Sequence, residues 1–242
     1  MSDRPHIDSG LESDLEAIQA RIMKMGGMVE RAISDAACSV DTRDEELAEA
    51  VRLRDAAIDT AEETITDEAM RIMAARTPAA GDLRLVLTVI KISASLERIG
   101  DYAKNMAKRT SVLTDMAQVE GATAALRRMA REVEGMLKDV LDAYIERDAD
   151  LARAVIERDQ DIDQMYNAIF REFLTFMMED PRNITPCMQL HFIAKNTERM
   201  GDLVLSVAEQ VVYLVSGERP GHPRPDTDRA LSEPVTFRHV QA

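Results

Sequence analysis

Arg43-Asp44-Glu45-Glu46-Leu47-Ala48-Glu49-Ala50-Val51-Arg52-Leu53-Arg54-Asp55-Ala56-Ala57-Ile58-Asp59 is written a second time, 104 residues on, as Arg147 to Asp163. Ten of the seventeen paired positions are identical: Arg43, Asp44, Leu47, Ala48, Ala50, Val51, Arg54, Asp55, Ile58 and Asp59 each meet their own kind, which marks a duplication. The same offset lays Met25, Val29, Glu30 and Asp35 on Met129, Val133, Glu134 and Asp139. Further along, Glu97-Arg98-Ile99-Gly100-Asp101 returns as Glu198-Arg199-Met200-Gly201-Asp202, now at an offset of 101. The second half is therefore three residues shorter between its two acidic segments. Length changes settle in loops. A loop is expected there in each half, marked by Pro78 and Gly81 and by Pro181 and Pro186.

Apolar residues around these segments fall at helical spacing. Leu15, Ile18, Ile22, Met25, Val29 and Ile33 predict a first helix over about Leu11 to Val40, which Asp41-Thr42 ends. A second runs from about Asp44 to Ala75. Thr77 to Gly81 reads as a loop, with Asp82 as the N-cap of a third helix reaching about Arg109. The second half repeats the pattern over Val119 to Tyr144, Asp148 to Met178 and Ile184 to Val215, with Pro186 fitting the first turn of the last helix. Long helices joined by short connections pack as antiparallel neighbours. The expected fold is all-α: two tandem three-helix bundles, residues 1–112 and 113–217. The tail from 218 to 242, rich in Pro and polar residues and holding His222 and His239, reads as disordered.

Composition agrees with an all-helical domain pair. The chain has 242 residues, 45% hydrophobic and only 4% aromatic, with 15 Met and no Trp, and strong helix formers dominate. Net charge is −14, which disfavours binding to a nucleic-acid backbone. Cys38 and Cys187 stand at unmatched repeat positions and read as free, buried thiols in a reducing compartment. The first ten residues lack an apolar core, so no signal peptide is expected, and no apolar run is long enough to span a membrane.

Surface acids need not recur in a duplicated fold; only core positions must. Residues four apart on a helix lie about 40° apart around the axis and about 6 Å along it. Asp55 with Asp59, Glu97 with Asp101, Asp159 with Asp163 and Glu198 with Asp202 each share a face. A solvated face laced by Arg54, Arg98, Arg158 and Arg199 is the ordinary reading of one such pair. Recurrence on two helices of both halves points instead to a site present twice. Carboxylates without His or Cys suit hard or borderline ions. His191 reads as a partly buried packing histidine. No nucleophile-base grouping, phosphate loop or zinc-helix motif occurs, so no catalytic residues are assigned.

Taken together, the twin acid pairs and the segment Leu96-Glu97-Arg98-Ile99-Gly100-Asp101-Tyr102-Ala103-Lys104-Asn105-Met106-Ala107 resemble the PhoU family, as does Met23-Lys24-Met25-Gly26-Gly27-Met28-Val29-Glu30. The resemblance covers about residues 5 to 217. It implies metal sites at Asp55, Asp59, Glu97 and Asp101 and at Asp159, Asp163, Glu198 and Asp202, holding Mg, Mn or Fe. Leu203 and Ser206 depart from the pattern beyond Asp202. The resemblance also implies a non-enzymatic, cytoplasmic adaptor, or one peripheral at the inner membrane through its partners. It would negatively regulate phosphate uptake and phosphate-starvation signalling. Its partners would be the ATPase of the phosphate ABC transporter and the sensor histidine kinase of the phosphate two-component system. A homodimer is the expected assembly. The competing classes are a carboxylate-site metal-binding protein or metal-dependent helical enzyme, and a plain scaffold.

Overall fold

The computed structural model describes residues 9–75, 80–218 and 220. Six long helices follow in order: α1 (Ser9–Thr42), α2 (Glu45–Ala75), α3 (Ala80–Thr114), α4 (Ala122–Glu146), α5 (Ala149–Glu179) and α6 (Ile184–Ser216), with a 3-10 turn at Pro181–Asn183 before the last. No strand occurs among the described residues. The expected tail, His222 and His239 included, lies outside the described residues apart from Glu218 and Pro220.

Helices α1, α2 and α3 pack on one another, and α4, α5 and α6 do the same. The two groups meet through α1 on α4 and α3 on α6, leaving α2 and α5 on the outside. Both contacts run antiparallel. On α1 and α4, Asp41 takes hydrogen bonds from Thr123 and Arg127 at one end, and Gly26 lies against Leu141 towards the other. On α3 and α6, Arg109 donates to Gln189, Thr197 meets Met106, and Arg84 lies over Tyr213. Glu30 and its repeat counterpart Glu134 are electrostatic neighbours across the first contact. The halves are thus related by an approximate twofold axis. A single continuous apolar core runs through both, from Ile18 and Ile22 on α1 to Val207 and Val211 on α6.

The connections are duplicated as well. Arg43 and Arg147 both take left-handed backbone conformations, φ 55° and 58°. Each ends one helix, and the following aspartate caps the next. Asp44 accepts from Leu47 N at 2.9 Å; Asp148 accepts from Asp150 N and Leu151 N at 2.9 Å. Glycine is the usual residue at such a turn, so the left-handed arginines had no signal in the sequence.

Several expected boundaries shift. Ala80 and Gly81 are already helical, so Asp82 lies in the first turn of α3 and is not its N-cap. An aspartate is favoured at either place, by capping or by the helix dipole. Helix α3 runs on to Thr114 because Thr110 and Leu113 are buried. Helix α4 starts only at Ala122, Val119 being buried in the turn before it. The expected loop residues Thr77 to Ala79 lie outside the described residues. Among the described residues α3 is helical from Ala80, three residues further ahead of Glu97 than Ile184, the start of α6, is ahead of Glu198.

Candidate functional site

The glycines of the two Glu-Arg-x-Gly-Asp segments pack directly against neighbouring helices. A Cβ on Gly100 would stand 3.1 Å from Ile58 Cδ1, and one on Gly201 would stand 3.2 Å from Ile162 Cγ2. Ile58 and Ile162 are the repeated isoleucines between each acid pair on α2 and α5. This packing sets the acids of α2 beside those of α3, and the acids of α5 beside those of α6.

The flanking arginines recur too. Arg54 on α2 pairs with Asp35 on α1 at 2.8 Å. Its counterpart Arg158 on α5 pairs with Asp139 on α4 at 2.5 Å and with Glu132 at 2.6 Å. Of the four expected lacing arginines, Arg54 and Arg158 therefore pair with acids outside the two clusters and tie the second helix of each half to the first.

In the first half the structure draws the acids into one electrostatic neighbourhood. Asp55 is 3% exposed, while Asp59, Glu97 and Asp101 are partly buried. The Lys104 ammonium donates to Asp55 Oδ2 and, at 3.3 Å, to Asp101 Oδ1, joining α2 to α3. Asp55 Oδ1 is buried with no hydrogen-bond partner. Burial raises the Glu97 carboxyl above its usual range, helped by the charges of Asp101, Asp59, Glu62 and Asp55. Burial likewise raises Asp59, with Asp55 adding to the shift and Lys104 opposing it.

The second half differs. Its buried acid is Glu198, 9% exposed, on α6 instead of α5. Lys195 donates to Glu198 Oε1 at 2.7 Å, and Glu198 Oε2 is buried without a partner. Asp163 is pushed up by burial and by the Glu198 charge, with Lys195 opposing. Asp159 is partly buried and Asp202 exposed. Beside this cluster His191 packs among Tyr166, Phe170 and Phe192, with ring centroids 5.8, 5.2 and 6.3 Å away. Burial lowers its pKa below the ordinary histidine value.

The donor chemistry suits a hard ion: oxygen ligands only, with one buried, unsatisfied carboxylate oxygen in each half. As placed, no three His, Cys, Asp or Glu side chains among the described residues form a group that could hold a metal ion. Lysine ammonium groups supply the positive charge instead. Lys104 and Lys195, each three residues from an acid on its own helix, are the residues of the candidate site that sequence reasoning missed. Their spacing from Asp101 and Glu198 was the available signal. The cysteines form no site. Cys187 is buried as expected, but Cys38 is exposed.

Comparisons with known proteins agree with the geometry. The chain is 42% identical over 223 residues to the phosphate-specific transport system accessory protein PhoU homolog of Caulobacter vibrioides, covering 92% of this chain and 97% of that one. The crystal structure of PhoU from Pseudomonas aeruginosa superposes with a TM-score of 0.83 at 37% identity, covering 86% of this chain and 99% of that chain. The phosphate transport system regulatory protein PhoU from Streptococcus pneumoniae gives a TM-score of 0.80 at 27% identity, covering 88% of this chain and 100% of that chain. The PhoU domain model matches twice, at residues 22–110 and 126–211, once in each structural half. The chain belongs to the PhoU family.

Proposed function

We propose that this protein is a regulatory adaptor of phosphate transport and not an enzyme. The observation that carries this reading is its 42% identity, over 92% of the chain, to a relative named as an accessory protein of the phosphate-specific transport system. In this role it works in the cytoplasm and meets the ATPase of the phosphate ABC transporter and the sensor histidine kinase of the phosphate two-component system. In plentiful phosphate it holds the kinase in its inhibitory mode and restrains uptake. Two features support a peripheral adaptor. None of the described helices is long and apolar enough to cross a membrane, and the net charge of −14 works against nucleic-acid partners.

Within this reading Asp55, Asp59, Glu97 and Asp101, and Asp159, Asp163, Glu198 and Asp202, hold ions of the Mg, Mn or Fe type. Such an ion would supply positive charge at the α2–α3 and α5–α6 seams. The buried, unsatisfied oxygens of Asp55 and Glu198 support it. They also suit a metal-dependent enzyme, which is the second reading.

The test is a pull-down of the tagged protein from phosphate-replete and phosphate-starved cells. The adaptor reading expects the transporter ATPase and the kinase among the recovered proteins. Recovery of neither, from a folded bait that carries metal, would sink it and favour the enzyme.

A further inference from the structure

The cations that meet the buried acids come from positions the repeat does not share. Lys104 follows Asp101 by three residues, and its counterpart on α6 is Leu205; Lys195 precedes Glu198 by three residues, and its counterpart on α3 is Ala94. The acids are duplicated and the lysines are not, so the two clusters draw their ammonium groups from different places on the repeat. They also act differently. Lys195 bonds Glu198 on its own helix. Lys104 reaches across the seam, from Asp101 on α3 to Asp55 on α2. That is the place a cation bridging the two helices would occupy. The ammonium leaves Asp55 Oδ1 buried and unsatisfied.

We propose that Lys104 is the resident counter-cation of the first acid cluster, and that a divalent ion enters there by displacing its ammonium from Asp55 and Asp101. This rests on the reading of the acid clusters as metal sites. The first cluster is then an exchangeable site at which lysine and metal compete. A divalent ion brings two charges and takes six or more oxygens, so it can reach the carboxylate oxygen that Lys104 leaves unsatisfied. The Lys104 side chain is 28% exposed, so its flexible stem can carry the displaced ammonium into water. Charge-assisted bonds to two carboxylates are strong enough to lower the apparent metal affinity about tenfold.

The test titrates Mn²⁺ into the full-length wild type, Lys104→Met and Lys195→Met. The first-half binding step is identified by its loss in Asp55→Asn. Lys104→Met should bind Mn²⁺ at that step about tenfold tighter than wild type, and Mn²⁺ should raise its melting temperature further. Lys195→Met should leave that step where it was. In wild type, saturating Mn²⁺ should increase the acetylation of Lys104 by a lysine-reactive reagent, read by mass spectrometry. Unchanged or weaker binding by Lys104→Met, with wild type still binding, overturns the competition and leaves the metal reading standing. No Mn²⁺ bound by any of these proteins sinks the metal reading and the competition with it. If Lys104→Met fails to fold, the wild-type acetylation decides: reactivity unmoved by saturating Mn²⁺ overturns the proposal.

Discussion

Ile58 seals the face of Gly100. Its Cδ1 stands 3.1 Å, and its Cγ2 3.3 Å, from where a methyl group on that glycine would sit. A methyl group there requires the Ile58 side chain to give by a few tenths of an ångström at the α2–α3 seam, between two pairs of acids. Gly100→Ala gains up to about 1 kcal/mol of helix propensity and loses about 1–3 kcal/mol to overpacking. A net loss near 1 kcal/mol is expected in urea denaturation. Ile58→Val removes the Cδ1 methyl, so the double variant should be more stable than the sum of the two single changes. Simple additivity in that cycle would show that the seam has slack and that the glycine is there for another reason.

The left-handed arginines give a second prediction. A non-glycine residue in that conformation costs about 1 kcal/mol. Arg147→Gly should raise stability by about 0.5–1 kcal/mol. Arg43→Gly should gain less, because Arg43 Nη1 donates to the Met116 carbonyl at 2.6 Å and that bond would be lost. Equal gains in denaturant midpoint would mean that the bond contributes no more than the contact of the Arg147 guanidinium with the Tyr144 ring, 5.5 Å away.

Glu30 supplies a pH dependence. Burial raises its pKa above the ordinary 4.5, and the charges of Glu134 and Asp142 add to the shift while Lys138 opposes it. In the window just above 4.5 the folded state holds this proton more tightly than the unfolded chain does. The group therefore costs stability as pH rises through that window, and the cost is complete at neutral pH. Glu30→Gln should stabilise the protein at pH 7 by about 0.3 kcal/mol, the scale of one like-charge contact. The gain should vanish below the ordinary glutamate range. A variant less stable than wild type at pH 7 would show that the Lys138 attraction outweighs the repulsion.

Asp101→Ala and Asp202→Ala, made together, test the acid clusters as a regulatory surface. Asp101 is half-exposed and Asp202 exposed, so the folded bundle should survive. Metal content should fall, and phosphate-starvation genes should be expressed in rich phosphate. A folded, metal-depleted variant that still represses fully would place the adaptor surface elsewhere on the helices.

Much of this molecule was written along the chain. The six helices follow from apolar spacing at 3.6 residues, and the twofold repeat follows from identities such as Arg54-Asp55 and Arg158-Asp159, because local periodicity and matched residues are properties of the chain itself. The acids Asp55, Asp59, Glu97 and Asp101 shared faces by spacing alone. Only the packed structure decided which of them is buried. Asp55 goes under on α2 in the first half and Glu198 on α6 in the second, although the repeat makes neither the counterpart of the other. Only the packed structure brought Lys104 across to Asp55, 49 residues away, and turned Arg54 and Arg158 towards Asp35 and Asp139. The physical reason is the same in each case. Burial and ion pairing depend on which side chain reaches across a seam between helices, and that distance is set by contacts such as Ile58 on Gly100, which spacing along one helix does not encode.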